Sequence, residues 1–141
     1  ARESQLEMMG DVLRGLGVQA GAIVHGTDGI DEVGGDGPTL VYSFTGEGTR
    51  RWTLDPRDYG IQVPLEAIRG GSVERCREAF ERTLSGERSP RAEVVALNAA
   101  LVLSVCGAAA TLSDGLAAAR EILSDGRAFA LLERVRGFSF G

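Results

Sequence analysis

The stretch Ala20-Gly21-Ala22-Ile23-Val24-His25-Gly26-Thr27-Asp28-Gly29-Ile30-Asp31-Glu32 decides how this chain is read. Ala20 to Val24 is a short apolar run without polar alternation, the pattern of a strand covered on both faces in an α/β sheet. The run ends in a loop, His25 to Glu32, in which glycines at 26 and 29 set a cluster of donor and acceptor side chains. Ligand sites in open α/β sheets gather at that end of the strands. Adjacent carboxylates there suit a hard cation, because Mg²⁺ takes oxygen ligands, keeps several waters and is commonly shared with substrate phosphates. Asp31 and Glu32 are therefore the candidate metal ligands. The competing reading is that acids in a Gly-rich loop are solvated turn residues, and spacing alone does not separate the two. A lone histidine at a strand end is more often a satisfied supporting group than a base or a ligand. His25 is accordingly given no catalytic role, and no residue is assigned as catalytic.

Upstream, Leu6, Met9, Leu13 and Leu16 share a helical face and Gly15 and Gly17 supply a stop, which predicts a helix over roughly 3–16. Downstream, Thr39 to Thr45 alternates with Leu40, Tyr42 and Phe44 on one side. Gly46-Glu47-Gly48 then turns the chain into a second alternating run, Thr49 to Leu54, so an antiparallel hairpin is predicted, ended by Asp55-Pro56. The rest reads as helical. Val73, Cys76, Phe80 and Leu84 share a face, Ala92 to Cys106 is Ala-rich and apolar, and Leu116 to Leu123 and Ala128 to Val135 follow. Ser72, Ser113 and Ser124 or Asp125 are placed as N-caps. The expected architecture is α/β: part of a mixed sheet made of one strand and a hairpin, with about six helices, in one domain or a part of one.

Composition removes several classes. At 141 residues, with 43% hydrophobic and 25% charged residues, the chain is long enough to bury a core and is far from a disordered composition. A net charge of −5 argues against a nucleic-acid coat. All fifteen basic residues are Arg, so a P-loop lysine or a Schiff base has no residue to run on. Val94 to Leu112 carries no charge, but Asn98 lies within it and Gly107 stops the helix, so a buried helix is predicted there and no membrane span. Cys76 and Cys106 have no metal-ligand spacing, and they are read as buried free thiols of a cytoplasmic protein. The chain opens on Ala1-Arg2-Glu3 in helical periodicity, with no initiator Met, which suggests a cut within a larger protein.

His25 to Glu32 resembles the His-Gly-x-Asp-Gly-x-Asp-Glu stretch of anthranilate phosphoribosyltransferases. Gly37-Pro38-Thr39, Leu54 to Gly60, Gly70-Gly71, Leu84-Ser85-Gly86-Glu87, Leu97-Asn98-Ala99-Ala100 and Leu132-Glu133 are similar to that family's motifs and come in its order. The resemblance covers nearly the whole chain, as the C-terminal part of the family's catalytic domain over 1–141. It implies transfer of a phosphoribosyl group from phosphoribosyl pyrophosphate (PRPP) to anthranilate, in tryptophan biosynthesis, with release of pyrophosphate. It also implies Mg²⁺ held by Asp31 and Glu32, with His25, Gly26, Asp28 and Gly29 as loop-shaping residues, and a homodimeric cytoplasmic parent that uses neither nucleic acid nor membrane.

The departures are as informative. The family's phosphate loop, its Lys-His-Gly segment, its anthranilate-binding Arg and its N-terminal helical domain are not in this chain. Gly34-Gly35-Asp36-Gly37 resembles part of the phosphate loop but stands where the family has a turn before Gly-Pro-Thr, so a turn is the expected role. The isolated chain is therefore expected to be inactive, with an apolar patch that includes part of the Ile23-Val24 face. Two other readings stay open: a non-catalytic relative acting as a binding module, and a nucleoside phosphorylase of the same fold group.

Overall fold

The computed structural model describes residues 3–138. A 3₁₀ turn at Glu3–Gln5 leads into α1 (Leu6–Gly15), followed by β1 (Gly21–Gly26), β2 (Thr39–Thr45) and β3 (Gly48–Leu54). Another 3₁₀ turn, Pro56–Tyr59, precedes α2 (Leu65–Ile68), α3 (Val73–Leu84), α4 (Pro90–Val105), α5 (Leu112–Ser124) and α6 (Arg127–Arg136). The predicted strand, hairpin and helices are thus present in an α/β arrangement. The sheet formed by the described residues has the order β1-β2-β3, and both of its pairings are antiparallel.

The sheet is covered on both faces, which is what the apolar run before His25 calls for. Ile23, Tyr42 and Phe44 pack with Leu6 of α1 on one side, with Leu40 and Leu13 at the margin. On the other side Val41, Leu54 and the partly buried Val24 and Trp52 join Val94, Leu97, Ala100 and Leu101 of α4. Pairing of Val41 with Trp52 and of Thr39 with Leu54 puts the two hairpin strands in phase, since directly opposite residues point to the same face. α4 is apolar nearly all round because it is sandwiched between the sheet and α5. At that helix crossing a Cβ on Gly115 would lie 2.8 Å from the Ala100 carbonyl oxygen, so the absent side chain sets the helix separation.

Several expectations need correction. Cys76 and Cys106 are exposed, not buried. Cys76 lies on α3, which gives only Thr83 to the interior, and Cys106 caps α4 beyond the core. The face Val73-Cys76-Phe80-Leu84 is likewise mostly open, with Val73 79% and Phe80 51% exposed. On α1, Leu6 is buried but Leu16 is exposed, and it is Gly10 that seats the helix, directly against Tyr42. Ile23 is buried beneath α1, so the expected apolar patch does not include it.

Helix starts follow local chemistry. Ser72 accepts from Arg75 N–H as foreseen, and Ser89 caps α4 ahead of Pro90. For α5 the cap is Thr111, not Ser113: its hydroxyl accepts from Asp114 N–H and donates to Asp114 Oδ2 at 2.7 Å, a reciprocal arrangement that Ser113 is too late in the chain to make. For α6 the capping position is Gly126 at φ 84°, while Asp125 accepts from Arg127 N–H beside it. No helix among the described residues is long and apolar enough to cross a membrane.

Candidate functional site

The connection between β1 and β2, residues 27–38, is a lobe closed at its base. Gly26 pairs with Thr39 at the last rung of the ladder, and both Thr27 N–H and Thr27 Oγ1 donate to the Pro38 carbonyl, at 3.0 and 2.9 Å. Within the lobe, Gly26 N–H donates to Ile30 O and Gly29 N–H to Gly26 O. Asp28 Oδ1 accepts from Ile30 N–H at 3.2 Å, an Asx turn that folds the first half back on the strand. Gly29 sits at φ 93°, a left-handed conformation that costs glycine little and most side chains 1–2 kcal/mol or so. Gly26 is in van der Waals confinement, since a Cβ there would collide with Ile30 and lie 2.6 Å from Asp28 Oδ1. His25 is half-buried at the end of β1, opposite Leu40.

The second half of the lobe dives into the protein. Val33 is fully buried, and its backbone is gripped by one side chain from α4: Val33 N–H donates to Asn98 Oδ1 at 3.0 Å and Asn98 Nδ2 donates to Val33 O at 2.8 Å. Asn98 Nδ2 also reaches Val94 O at 2.9 Å, which fixes the amide plane. Gly34 N–H donates to Thr39 Oγ1, and Gly35 O accepts from Val63 N–H at 2.8 Å. A Cβ on Gly35 would fall 2.6 Å from Val63 Cβ and 2.9 Å from Val94 Cγ2. The Gly34-Gly35 pair is therefore a packing position beneath the hairpin, and the Gly34 N–H is already committed internally.

Asp31 and Glu32 stand just before this anchor and are both exposed. Among the described residues no hydrogen bond or ion pair engages either side chain, although the chain is crossed by eleven Arg–carboxylate pairs elsewhere. The backbone beneath the two acids is fixed while their carboxylates are left to solvent. No group of three or more His, Cys, Asp or Glu among the described residues could hold a metal ion by itself. Two adjacent carboxylates with open solvent beyond them nevertheless fit a cation that completes its shell with water and phosphate oxygens, as Mg²⁺ does.

Two further features were not foreseen. Asn98, the lone amide in an uncharged apolar stretch, is the loop's anchor; an amide at a core position had to find partners, and that was the signal available. A pair of contiguous clefts also lies between α2, α3 and α4: one is lined by Arg69, Arg75, Arg82 and Arg91, the other is largely apolar with Glu32 at its rim.

Known proteins resemble the chain in sequence and in fold. An anthranilate phosphoribosyltransferase of Thermomicrobium roseum is 40% identical over 138 residues, which is 95% of this chain and 40% of that protein. One of Methylobacterium nodulans is 39% identical over 133 residues, 94% of this chain and 40% of its own length. The chain thus spans about two fifths of these relatives. Among solved structures, the Saccharomyces cerevisiae anthranilate phosphoribosyltransferase in complex with 4-fluoroanthranilate superposes with a TM-score of 0.71 at 26% identity, over 81% of this chain and 34% of that one. The same enzyme in complex with PRPP and Mg gives 0.69, over 79% and 33%. Residues 1–129 match the family described as glycosyl transferase family, a/b domain, and this chain belongs to that family.

Proposed function

We propose that this chain is the C-terminal part of the catalytic domain of an anthranilate phosphoribosyltransferase, over residues 1–141. The whole protein would move the phosphoribosyl group of PRPP to the amine of anthranilate, with pyrophosphate leaving, as a step of tryptophan biosynthesis. The observation that carries this reading is the lobe after β1: its exposed carboxylates, Asp31 and Glu32, have no side-chain partner among the described residues, yet the backbone directly after them is clamped to α4. The relatives support it, since anthranilate phosphoribosyltransferases align along nearly the whole chain and one of their structures holds PRPP and Mg.

Asp31 and Glu32 would hold the Mg²⁺, which when bound offsets charge on the departing diphosphate. Asn98, through Val33, fixes where the two acids project. Asp28, Gly26 and Gly29 shape the first half of the lobe, and His25 closes the strand beneath it. None of these groups supplies a set of hydrogen-bond donors to a diphosphate, and positioning such an anion needs them. The chain alone is accordingly inactive in this proposal, and the phosphate-binding half, the anthranilate contacts and the dimer-forming helical region belong to other parts of a cytoplasmic homodimer. Nucleic acid and membrane are not partners in this reading.

The test is a chimera in which residues 1–129 replace the matching region of the Thermomicrobium roseum enzyme. Consumption of anthranilate, followed by loss of its fluorescence with PRPP and Mg²⁺, should persist in the chimera and drop by two or more orders of magnitude or so when Asp31→Asn and Glu32→Gln are combined, as when a group that stabilises transition-state charge is removed. A chimera that folds and keeps its rate with both acids neutralised would sink the assignment.

A further inference from the structure

We infer that the cleft between α2 and α3 is a binding site for a phosphate monoester carrying an apolar body. Arg69, Arg75, Arg82 and Arg91 line it, with Gly70, Cys76, Ala79 and the single carboxylate Glu78. Its volume is about 180 Å³, and it runs into a second cleft of about 300 Å³ because Cys76, Ala79 and Arg91 line both. In a chain with a net charge of −5, bringing four of fifteen arginines to one small cleft is a marked segregation of charge.

The partners of these arginines determine what is left for a ligand. Arg82 is taken up by a bidentate pair with Glu87, at 2.5 and 2.7 Å. Arg69 meets Glu66 only at 3.7 Å, both side chains being more than 70% exposed, and such a pair holds its arginine weakly. Arg91 has no carboxylate partner among the described residues; it donates to the carbonyls of Ile68 at 2.9 Å and Arg69 at 3.2 Å, which pins the guanidinium at the cleft wall. Arg75 makes neither an ion pair nor a side-chain hydrogen bond among the described residues. One guanidinium without a side-chain partner among the described residues, one held only by backbone carbonyls and one loosely paired thus line a recess where Glu78 is the only acid. Guanidinium forks recognise phosphate oxygens in pairs, which gives the site its ligand class.

The adjoining cleft supplies the rest. Ile68, Phe80, Leu84, Val94 and Val95 line it, and Phe80 is half exposed. An aromatic or aliphatic body attached to the phosphate would cover that surface. Glu32 also lines this second cleft, so the two proposed sites adjoin, but the test here needs neither Mg²⁺ nor anthranilate and either proposal can fail alone.

Cys76 reports on the site, because it lines both clefts, while Cys106, also exposed, lines neither and serves as internal control. Alkylation of the two cysteines of the 141-residue chain by iodoacetamide is followed separately by mass spectrometry, at constant ionic strength. Phenyl phosphate should slow Cys76 saturably and leave Cys106 unchanged. Inorganic phosphate should do so only at higher concentration, and phenol not at all. Arg75→Gln, at an exposed position whose side chain has no partner among the described residues, should keep the wild-type melting curve and raise the half-protecting concentration about tenfold, the factor for one lost charge-assisted hydrogen bond. Equal slowing of both cysteines, protection by phenol, or unchanged protection in Arg75→Gln would overturn the inference.

Discussion

Asn98→Ala is the substitution whose consequences can be worked furthest. It removes the acceptor for Val33 N–H and the donor to Val33 O, leaving both polar groups of a fully buried residue without a partner. The third bond, to Val94 O, matters less, because a helical carbonyl can keep its backbone donor. A stranded buried donor or acceptor costs about 1–3 kcal/mol, so the pair costs roughly 2–6 kcal/mol, or about 2–5 kcal/mol once water partly fills the space the amide vacates. Set against a total stability of about 5–15 kcal/mol, this is a large fraction. At about 4 °C per kcal/mol for a chain of this size, the melting temperature should fall by about 8–20 °C. Asn98→Asp keeps the acceptor but aims a second acceptor at the Val33 carbonyl, so at neutral pH it should lose at least as much. Circular-dichroism melts give the first number, and hydrogen exchange at the Val33 amide gives the local one. If Asn98→Ala melts within about 2 °C of wild type and the Val33 amide stays equally protected, the clamp is not what holds the lobe.

Three other outcomes follow from the same geometry. Gly35→Ala must fit a Cβ 2.6 Å from Val63 Cβ and 3.0 Å from Val63 O, so a loss of about 1–3 kcal/mol in urea unfolding is expected, with no change in slope. Gly115→Ala gains about 1 kcal/mol of helix propensity but forces a Cβ to 2.8 Å from the Ala100 carbonyl; because that neighbour is backbone the clash wins, and the variant should melt below wild type. Asp55 accepts from the Arg57 side chain first and its N–H second, and these hold its carboxyl below the ordinary aspartate range. A lowered folded-state pKa means stabilisation that is complete above that range and lost as pH falls from it through the lowered value, so the melting difference between wild type and Asp55→Asn should hold from neutrality to the aspartate range and shrink below about pH 4.

The parts of the fold that were legible in the sequence are those where one physical signal dominates. Alternation in Thr39 to Thr45 and the Gly46-Glu47-Gly48 turn specify a hairpin whatever surrounds it, and the structure has one, although Gly48 already belongs to the second strand, where it pairs with Thr45. The helical face of Val73, Cys76, Phe80 and Leu84 is equally periodic, yet periodicity states only that a face is apolar and not that anything covers it. α3 touches the rest of the chain lightly, and its apolar side opens onto the clefts. The same limit misplaced the cysteines. Caps were readable where one hydroxyl competes, as at Ser72, and misread where two do, since Thr111 and Ser113 differ only in which can reach Asp114. At the site, the loop stood out from its glycines and acids. Its anchor did not, because the partners of Asn98 are 65 residues away and no local pattern encodes a contact at that separation.

The lobe divides into a half that specifies position and a half that is free to act, and both lie within this chain. The groups that hold the lobe, Gly26 on β1 and Pro38, Thr39, Val63, Val94 and Asn98 downstream, all come from residues 26–98, so the placement of the proposed metal carboxylates rests on these elements. No buried side-chain nitrogen or oxygen among the described residues lacks a partner, as expected of a unit whose polar interior is complete. Chemistry on a diphosphate requires more, because two carboxylates and a cation fix one side of the anion while donors must meet the other. In the proposed function metal affinity and turnover therefore separate: the first would depend on Asn98 and the lobe, and the second on donors that the lobe does not supply.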